Sequence, residues 1–193
     1  MKTLFYALLS LLAVCHSASA KNATSAEDLL KTNLAAVFAV LQKEDMAQQA
    51  KREEIVEIVS PMFDFALMAK LALGKKYWPG LSEENKEKFT DLFIKKLRTS
   101  YLSKLTLYTD EKIIYEPPVQ DKAKVLISTY LISKDKKIDM LYKFYNSANS
   151  WKIYDVEIQG VSIIRSYRSQ FGEIMQNGTI DELLLKLQES VDS

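Results

Sequence analysis

The sequence predicts an α+β fold in which helices cover one face of an antiparallel sheet of about four strands. Three observations predict it. Up to Thr109 the apolar residues recur at threes and fours, the spacing of amphipathic helices. After Thr109 the chain changes to segments rich in β-branched and aromatic residues, separated by short polar turns. Beyond Gly160 the helical spacing returns.

The chain opens with Lys2, an apolar run from Leu4 to Val14, and Ala18-Ser19-Ala20 as an A-x-A site. This pattern is that of a secretory signal peptide cut after Ala20, leaving residues 21–193 as a single domain. A lipoprotein signal acylated at Cys15 is the competing reading, and Val14 opposes it because a small residue is wanted there. Leu29, Leu30, Leu34, Val37, Phe38 and Leu41 then mark the first helix, with Ser25 as its N-cap. A second helix covers Lys51 to Val59. Pro61 breaks the chain before a third, from Met62 to Leu73, which Gly74 closes. After the Trp78-Pro79-Gly80 turn, Ser82 caps a long helix whose stripe runs through Phe89, Leu92, Phe93, Leu97, Tyr101, Leu105 and Tyr108.

The strand segments are Lys112 to Glu116, Lys122 to Ile132, Lys136 to Tyr145 and Ser150 to Ile158. In the third, Ile138, Met140, Tyr142 and Phe144 share one face, so one side of the sheet must be covered, and the helices are the available cover. Gly160 ends the strand region. Ile163, Ile164, Tyr167, Phe171, Ile174 and Met175 form the next helical stripe, and Thr179 with Glu182 makes a capping box for a last leucine-rich helix.

Composition excludes several functions. The only cysteine and histidine, Cys15 and His16, fall in the leader, so Ser-His and Cys-His nucleophilic chemistry is absent from the remaining chain. Only oxygen ligands are left for a metal, no calcium-loop spacing occurs, and no metal or cofactor is expected. Five glycines, none arranged as a phosphate loop, speak against nucleotide binding. Removing Lys2 leaves 25 basic against 25 acidic residues, which is no footprint for nucleic acid. One enzyme reading stands: Asp155, beside Tyr154, as a base in an apolar cavity, against the blander reading that it pairs with a nearby lysine or arginine. Arg165 and Arg168, three apart, share a flank of their helix suited to an anionic headgroup or an acidic partner, or simply to solvent and weak surface pairs.

The stretch WKIYDVEIQGVSIIRSYRSQF, residues 151–171, resembles the signature of the MlaC family, periplasmic phospholipid-binding proteins that serve as auxiliary components of an ABC transport system tied to toluene tolerance. The resemblance extends to FDFALMAKLALGKKYW from Phe63, to FTDLFIKKLRTSYLSKL from Phe89, and to the segment from Gly178 to Leu187. It implies a helical subdomain packed on a twisted antiparallel sheet, enclosing an apolar pocket that takes the acyl chains of a glycerophospholipid. It further implies a monomeric, non-enzymatic carrier in the periplasm. Its expected partners are an outer-membrane lipoprotein complex and an inner-membrane complex of an MCE-domain protein and an ABC ATPase, and its role is to maintain outer-membrane lipid asymmetry.

Position in the apolar stripes nominates the pocket residues: Leu97, Tyr101 and Leu105 from the long helix, Met140, Tyr142 and Phe144 from the sheet, and Val161, Ile164, Tyr167 and Phe171 around the glycine joint. Met62, Met68, Met140 and Met175 are candidates for adaptable lining. Tyr142→Asp or Phe144→Asp is expected to remove bound lipid and leave folded protein. The alternatives are an enzyme acting on a small apolar substrate in the same cavity and a ligand-free periplasmic interaction module with a filled core.

Overall fold

The structure, a computed structural model, describes residues 15–105, 112–133, 136–148 and 150–192, with the backbone alone at 15–24, 102–105, 133 and 136. Helix α1 (Cys15–Leu41) is followed by α2 (Gln48–Val59), a 3-10 turn (Ser60–Met62), α3 (Phe65–Leu73), a second 3-10 turn (Trp78–Gly80) and α4 (Glu83–Leu105). Strands β1 (Lys112–Tyr115), β2 (Val119–Asp121), β3 (Lys124–Ser133), β4 (Lys136–Ser147), β5 (Ser150–Ile158) and β6 (Val161–Ser162) come next, and α5 (Ile163–Asn177) and α6 (Ile180–Asp192) close the chain. The sheet is antiparallel in the order β1-β3-β4-β5-β6, with β2 also paired to β3. The four expected strands are all present; β2 and β6, of three and two residues, are additions too short to show a periodic pattern.

Three helix starts differ from expectation; α2 begins at Gln48 rather than Lys51. Ser25 lies inside α1, which already begins at Cys15 and runs through the predicted cut after Ala20; alanines at 18, 20, 23 and 26 favour helix there. The remainder of the predicted leader, residues 1–14, and Tyr108 lie outside the described residues. α3 starts at Phe65 rather than Met62, because Asp64 accepts the Leu67 N–H at 2.9 Å and is the N-cap. Just before it, Phe63 pairs with Ile153 and the Asp64 N–H donates to the Ile153 carbonyl at 2.9 Å. The motif beginning at Phe63 therefore stitches a helix to β5 and caps that helix within two residues. Elsewhere the predicted caps hold: Ser82 Oγ accepts from Asn85 N–H at 3.2 Å and Thr179 Oγ1 from Glu182 N–H at 3.3 Å.

Helices and sheet share a main core, to which α1, α3, α4, α5, α6 and the inner face of the sheet contribute. α4 packs on α6 and α3 on α5. Between α4 and α5 the contact is aromatic: Phe93 meets Tyr167 edge-on with ring centroids 5.2 Å apart, and Phe89 meets Phe171 in the same way at 5.4 Å. A smaller core of Val37, Val40, Leu41 and Ile55 joins α1 to α2, where the buried Lys51 donates to the Leu41 carbonyl at 2.9 Å and satisfies the C-terminal end of α1.

One irregularity shapes the sheet. Phe144 stands opposite Ile153 but Lys143 opposite Asp155, so Tyr154 is the extra residue of a β-bulge. The bulge lets Ile153 and Val156, three apart, both turn into the core, where they are 0% and 5% exposed. Tyr154 is left to pack against Tyr145, ring centroids 6.0 Å apart.

Candidate functional site

Antiparallel partners share a face, so the register sorts the inner face of the sheet into four cross-strand rows. Val125, Phe144 and Ile153 form the first and are all 0% exposed. Ile127, Tyr142 and Val156 form the second and are also buried. In the third row, Tyr115, Thr129, Met140 and Ile158, only Thr129 is buried and its neighbours are half-buried. In the fourth, Ile113 and Ile138 are again half-buried around Leu131. Cover over the inner face thus thins from one end to the other. α3, docked through Phe63 and Asp64, seals the first end.

Hydroxyls gather toward the thinly covered end. Tyr142 donates to the Met140 thioether at 3.5 Å, and Thr129 stands opposite Met140 on the same face. Tyr115 lies near enough for its charge state to be felt by Tyr142, and Lys31 of α1 places Nζ 5.3 Å from the Tyr115 ring centroid. From the roof, Tyr167 donates to Ser100 Oγ at 3.4 Å, and Tyr101 lies within electrostatic reach of Tyr167. Burial raises the pKa of Tyr101, Tyr115, Tyr142 and Tyr167 above the ordinary phenol value, the mark of a poorly hydrated environment.

Of the predicted pocket residues, Met140 and Tyr142 fall in the middle rows of the inner face, and Tyr101 is half-buried on α4. Leu97, Ile164 and Tyr167 are buried in the same core. Phe144 lies at the sealed end, and Phe171 is packed among Phe89, Phe93 and Tyr167. The side chain of Leu105 lies outside the described residues. Val161 is 59% exposed on the two-residue edge strand β6, where it stands opposite Ile158 and so extends the third row of the inner face to the sheet's open edge. Gln159 and Gly160, with φ of 51° and 76°, form the tight hairpin turn that brings it back beside Ile158.

The polar candidates are committed elsewhere. Asp155, 5% exposed, accepts from Lys143 Nζ at 3.0 Å and Ser162 Oγ at 2.8 Å through Oδ2, and from the Ile164 N–H at 3.2 Å through Oδ1. Its oxygens hold the start of α5 against the sheet, which is the pairing reading rather than that of a free base. Arg165 pairs with Glu157 at 3.0 Å while remaining exposed. Arg168 Nε donates to the Leu71 carbonyl at 2.7 Å, at the C-terminal end of α3 where a cation is favoured. Sequence reasoning missed Tyr115, Thr129 and Lys31. Strand alternation could have offered the first two, but only the register brings them beside Tyr142.

Two surface cavities lie apart from this region. One of about 500 Å³ sits between α2 and α4, with Arg52, Glu57 and Arg98 in its wall, and one of about 260 Å³ lies between α4 and α6 beside Lys88, Asp181 and Leu185. None of the described residues lining them is a predicted pocket residue. Among the described residues no three acidic, histidine or cysteine side chains gather to hold a metal ion, and no helix is long and apolar enough to cross a membrane.

Known proteins share both the sequence and the fold. A family profile described as "MlaC protein" matches residues 31–189. The "Intermembrane phospholipid transport system binding protein MlaC" of Haemophilus influenzae is 28% identical over 120 residues, covering 59% of this chain and 56% of that protein. The "Toluene tolerance protein ttg2D" of Pseudomonas putida is 24% identical over 126 residues, covering 64% of this chain and 59% of that one. The matched region thus spans less than two thirds of the length of either relative. A phospholipid-binding protein from Ralstonia solanacearum, solved in complex with a phospholipid, superposes with a TM-score of 0.78 over 87% of this chain and 97% of its own; at 22% identity the likeness is one of fold.

Proposed function

The chain belongs to the MlaC protein family, and from that premise we propose that it is a periplasmic carrier of glycerophospholipid. In this reading it moves lipid between an outer-membrane lipoprotein complex and an inner-membrane complex of an MCE-domain protein and an ABC ATPase, and so maintains the lipid asymmetry of the outer membrane. The observation that carries the reading is the graded cover of the sheet's inner face, from the fully buried Val125, Phe144 and Ile153 to the half-buried Ile113 and Ile138. An apolar face with thinning cover is a place where acyl chains can slide between helices and sheet.

The energetics require such a shield. Burial of a methylene is worth about 0.8 kcal/mol, so an acyl chain of about 15 methylenes exposes roughly 12 kcal/mol of unfavourable surface if it crosses water bare. The carrier must also let go. Few fixed charges at the open rows favour release, and Met140 and Met175, partly buried against the core, can adapt to chains of different shape. The reading assigns no catalysis, and Asp155 supports that, since its oxygens are occupied by Lys143, Ser162 and Ile164.

Native mass spectrometry with lipid extraction tests the proposal on protein purified from a bacterial periplasm without detergent. A bound mass equal to one phospholipid is expected. A protein that is apo as isolated and also fails to load from labelled phospholipid vesicles overturns it.

A further inference from the structure

The Tyr142 hydroxyl is buried, with the residue 6% exposed, yet the acceptor it reaches is a thioether, Met140 Sδ at 3.5 Å. A phenol is a strong donor and a thioether a weak acceptor. In a dry interior a well-made hydrogen bond gains strength and a poor one forfeits more than it would in water. Thr129, 2% exposed, stands opposite Met140 on the same face, one row beyond Tyr142. Met140 and Thr129 both belong to the third cross-strand row, so the hydroxyl that reaches Met140 is directed toward the thinly covered end of the inner face and away from the sealed one. A side chain serving only as core would be as well packed as phenylalanine here and would bring no donor held by so weak an acceptor.

We propose that Tyr142, whose hydroxyl reaches into the row of Thr129 and Met140, is a polar subsite that donates a hydrogen bond to an ester carbonyl of the bound lipid, with Met140 Sδ accepting that hydrogen bond only while the carbonyl is absent. The inference rests on the carrier reading above and deepens it. It sets the depth of the ligand: the glycerol-ester level lies at the row of Thr129 and Met140, one row inside Ile113, Leu131 and Ile138, so the headgroup lies outside the sheet's last apolar row. It also names a chemical preference. Diacyl lipids present a carbonyl to the donor, whereas dialkyl ether lipids of equal chain length present only the poorer ether oxygen.

The test offers the protein vesicles containing equal amounts of diester phosphatidylethanolamine, carbon-13 labelled at the carbonyls, and its diether analogue. Bound lipid is then quantified by mass spectrometry, and its carbonyl band is read by infrared spectroscopy. Wild type is expected to retain the diester over the diether by about fivefold, the worth of one ordinary hydrogen bond. Tyr142→Phe is expected to bring that ratio close to one, with the carbonyl band of its bound diester at higher frequency than in wild type. A wild-type ratio of one, with the same carbonyl band in both proteins, overturns the subsite and leaves the carrier intact. Uptake of neither lipid by wild type overturns both. The wild-type ratio stands as a test without the variant, should Tyr142→Phe fold poorly.

Discussion

Ser162 Oγ donates to Asp155 Oδ2 at 2.8 Å and accepts the Arg165 N–H at 3.0 Å, so the cap of α5 is itself held by β5. The strand, the Gln159-Gly160 turn and the helix are thereby one hydrogen-bonded unit. Asp155→Ala removes the acceptor of three bonds and leaves Lys143 with Glu157 alone. It is expected to cost about 2–3 kcal/mol of stability in urea denaturation, with Asp155→Asn costing less because a carbonyl oxygen remains. A stable Asp155→Ala protein would argue against this role.

Alkaline pH should weaken the fold. Burial acts against the Lys143 charge, but hydrogen bonds to Glu157 and Asp155 outweigh it and hold its pKa above the ordinary lysine value. Burial likewise pushes the Tyr142 hydroxyl well above the ordinary phenol value. In both cases the folded state holds its proton longer than the unfolded chain. The linked stability is therefore complete below the unfolded values, near pH 10, and is lost as pH rises through the folded ones. Denaturation midpoints should fall steadily above about pH 10. Tyr142→Phe and Lys143→Met should each flatten that fall, and an unchanged slope in both variants would remove these groups as its source.

The helices and long strands were legible because their signals are local. The stripe from Phe89 to Tyr101, the alternation from Ile138 to Phe144 and the caps at Ser82 and Thr179 each lie within a few turns of chain. What escaped depends on pairing. Val161 is exposed at the sheet's edge because the positive φ of both Gln159 and Gly160 makes a hairpin that sets it opposite Ile158, with no further strand beyond it among the described residues. Tyr115 and Thr129 become neighbours of Tyr142 only through the registers that set Tyr115 opposite Thr129 and Thr129 opposite Met140. For Arg165 and Arg168 the residue types left a headgroup or partner contact, solvation and weak surface pairing all open, and only the fold shows Glu157 and the Leu71 carbonyl as the groups they meet.

Gly160 isolates backbone strain from crowding. Its φ is +76°, and a Cβ placed there meets no atom within 4 Å. Gly160→Ala should therefore cost only the left-handed penalty, about 1–2 kcal/mol, without changing lipid content. A larger loss in denaturation, or altered lipid retention, would mean that the turn does more than reverse the chain.

The graded cover of the inner face decides which substitution probes the pocket. Phe144 is 0% exposed beside Val125 and Ile153, so Phe144→Asp buries a carboxylate among apolar side chains and threatens a fold whose whole stability is about 5–15 kcal/mol. Tyr142→Asp, at 6% exposure, carries much the same risk. The sequence alone pointed to these two variants; the structure moves the test to the half-buried rows. At Ile138 and Met140 an aspartate can keep part of its hydration while placing charge where acyl chains should lie. Ile138→Asp and Met140→Asp are expected to fold, as judged by circular dichroism, and to lose at least tenfold in co-purified phospholipid, the equivalent of about 1.4 kcal/mol. Leu185→Asp, at a position 60% exposed on α6, is the control and should keep both fold and lipid. Full lipid content in folded Ile138→Asp and Met140→Asp proteins would place the acyl chains away from the sheet.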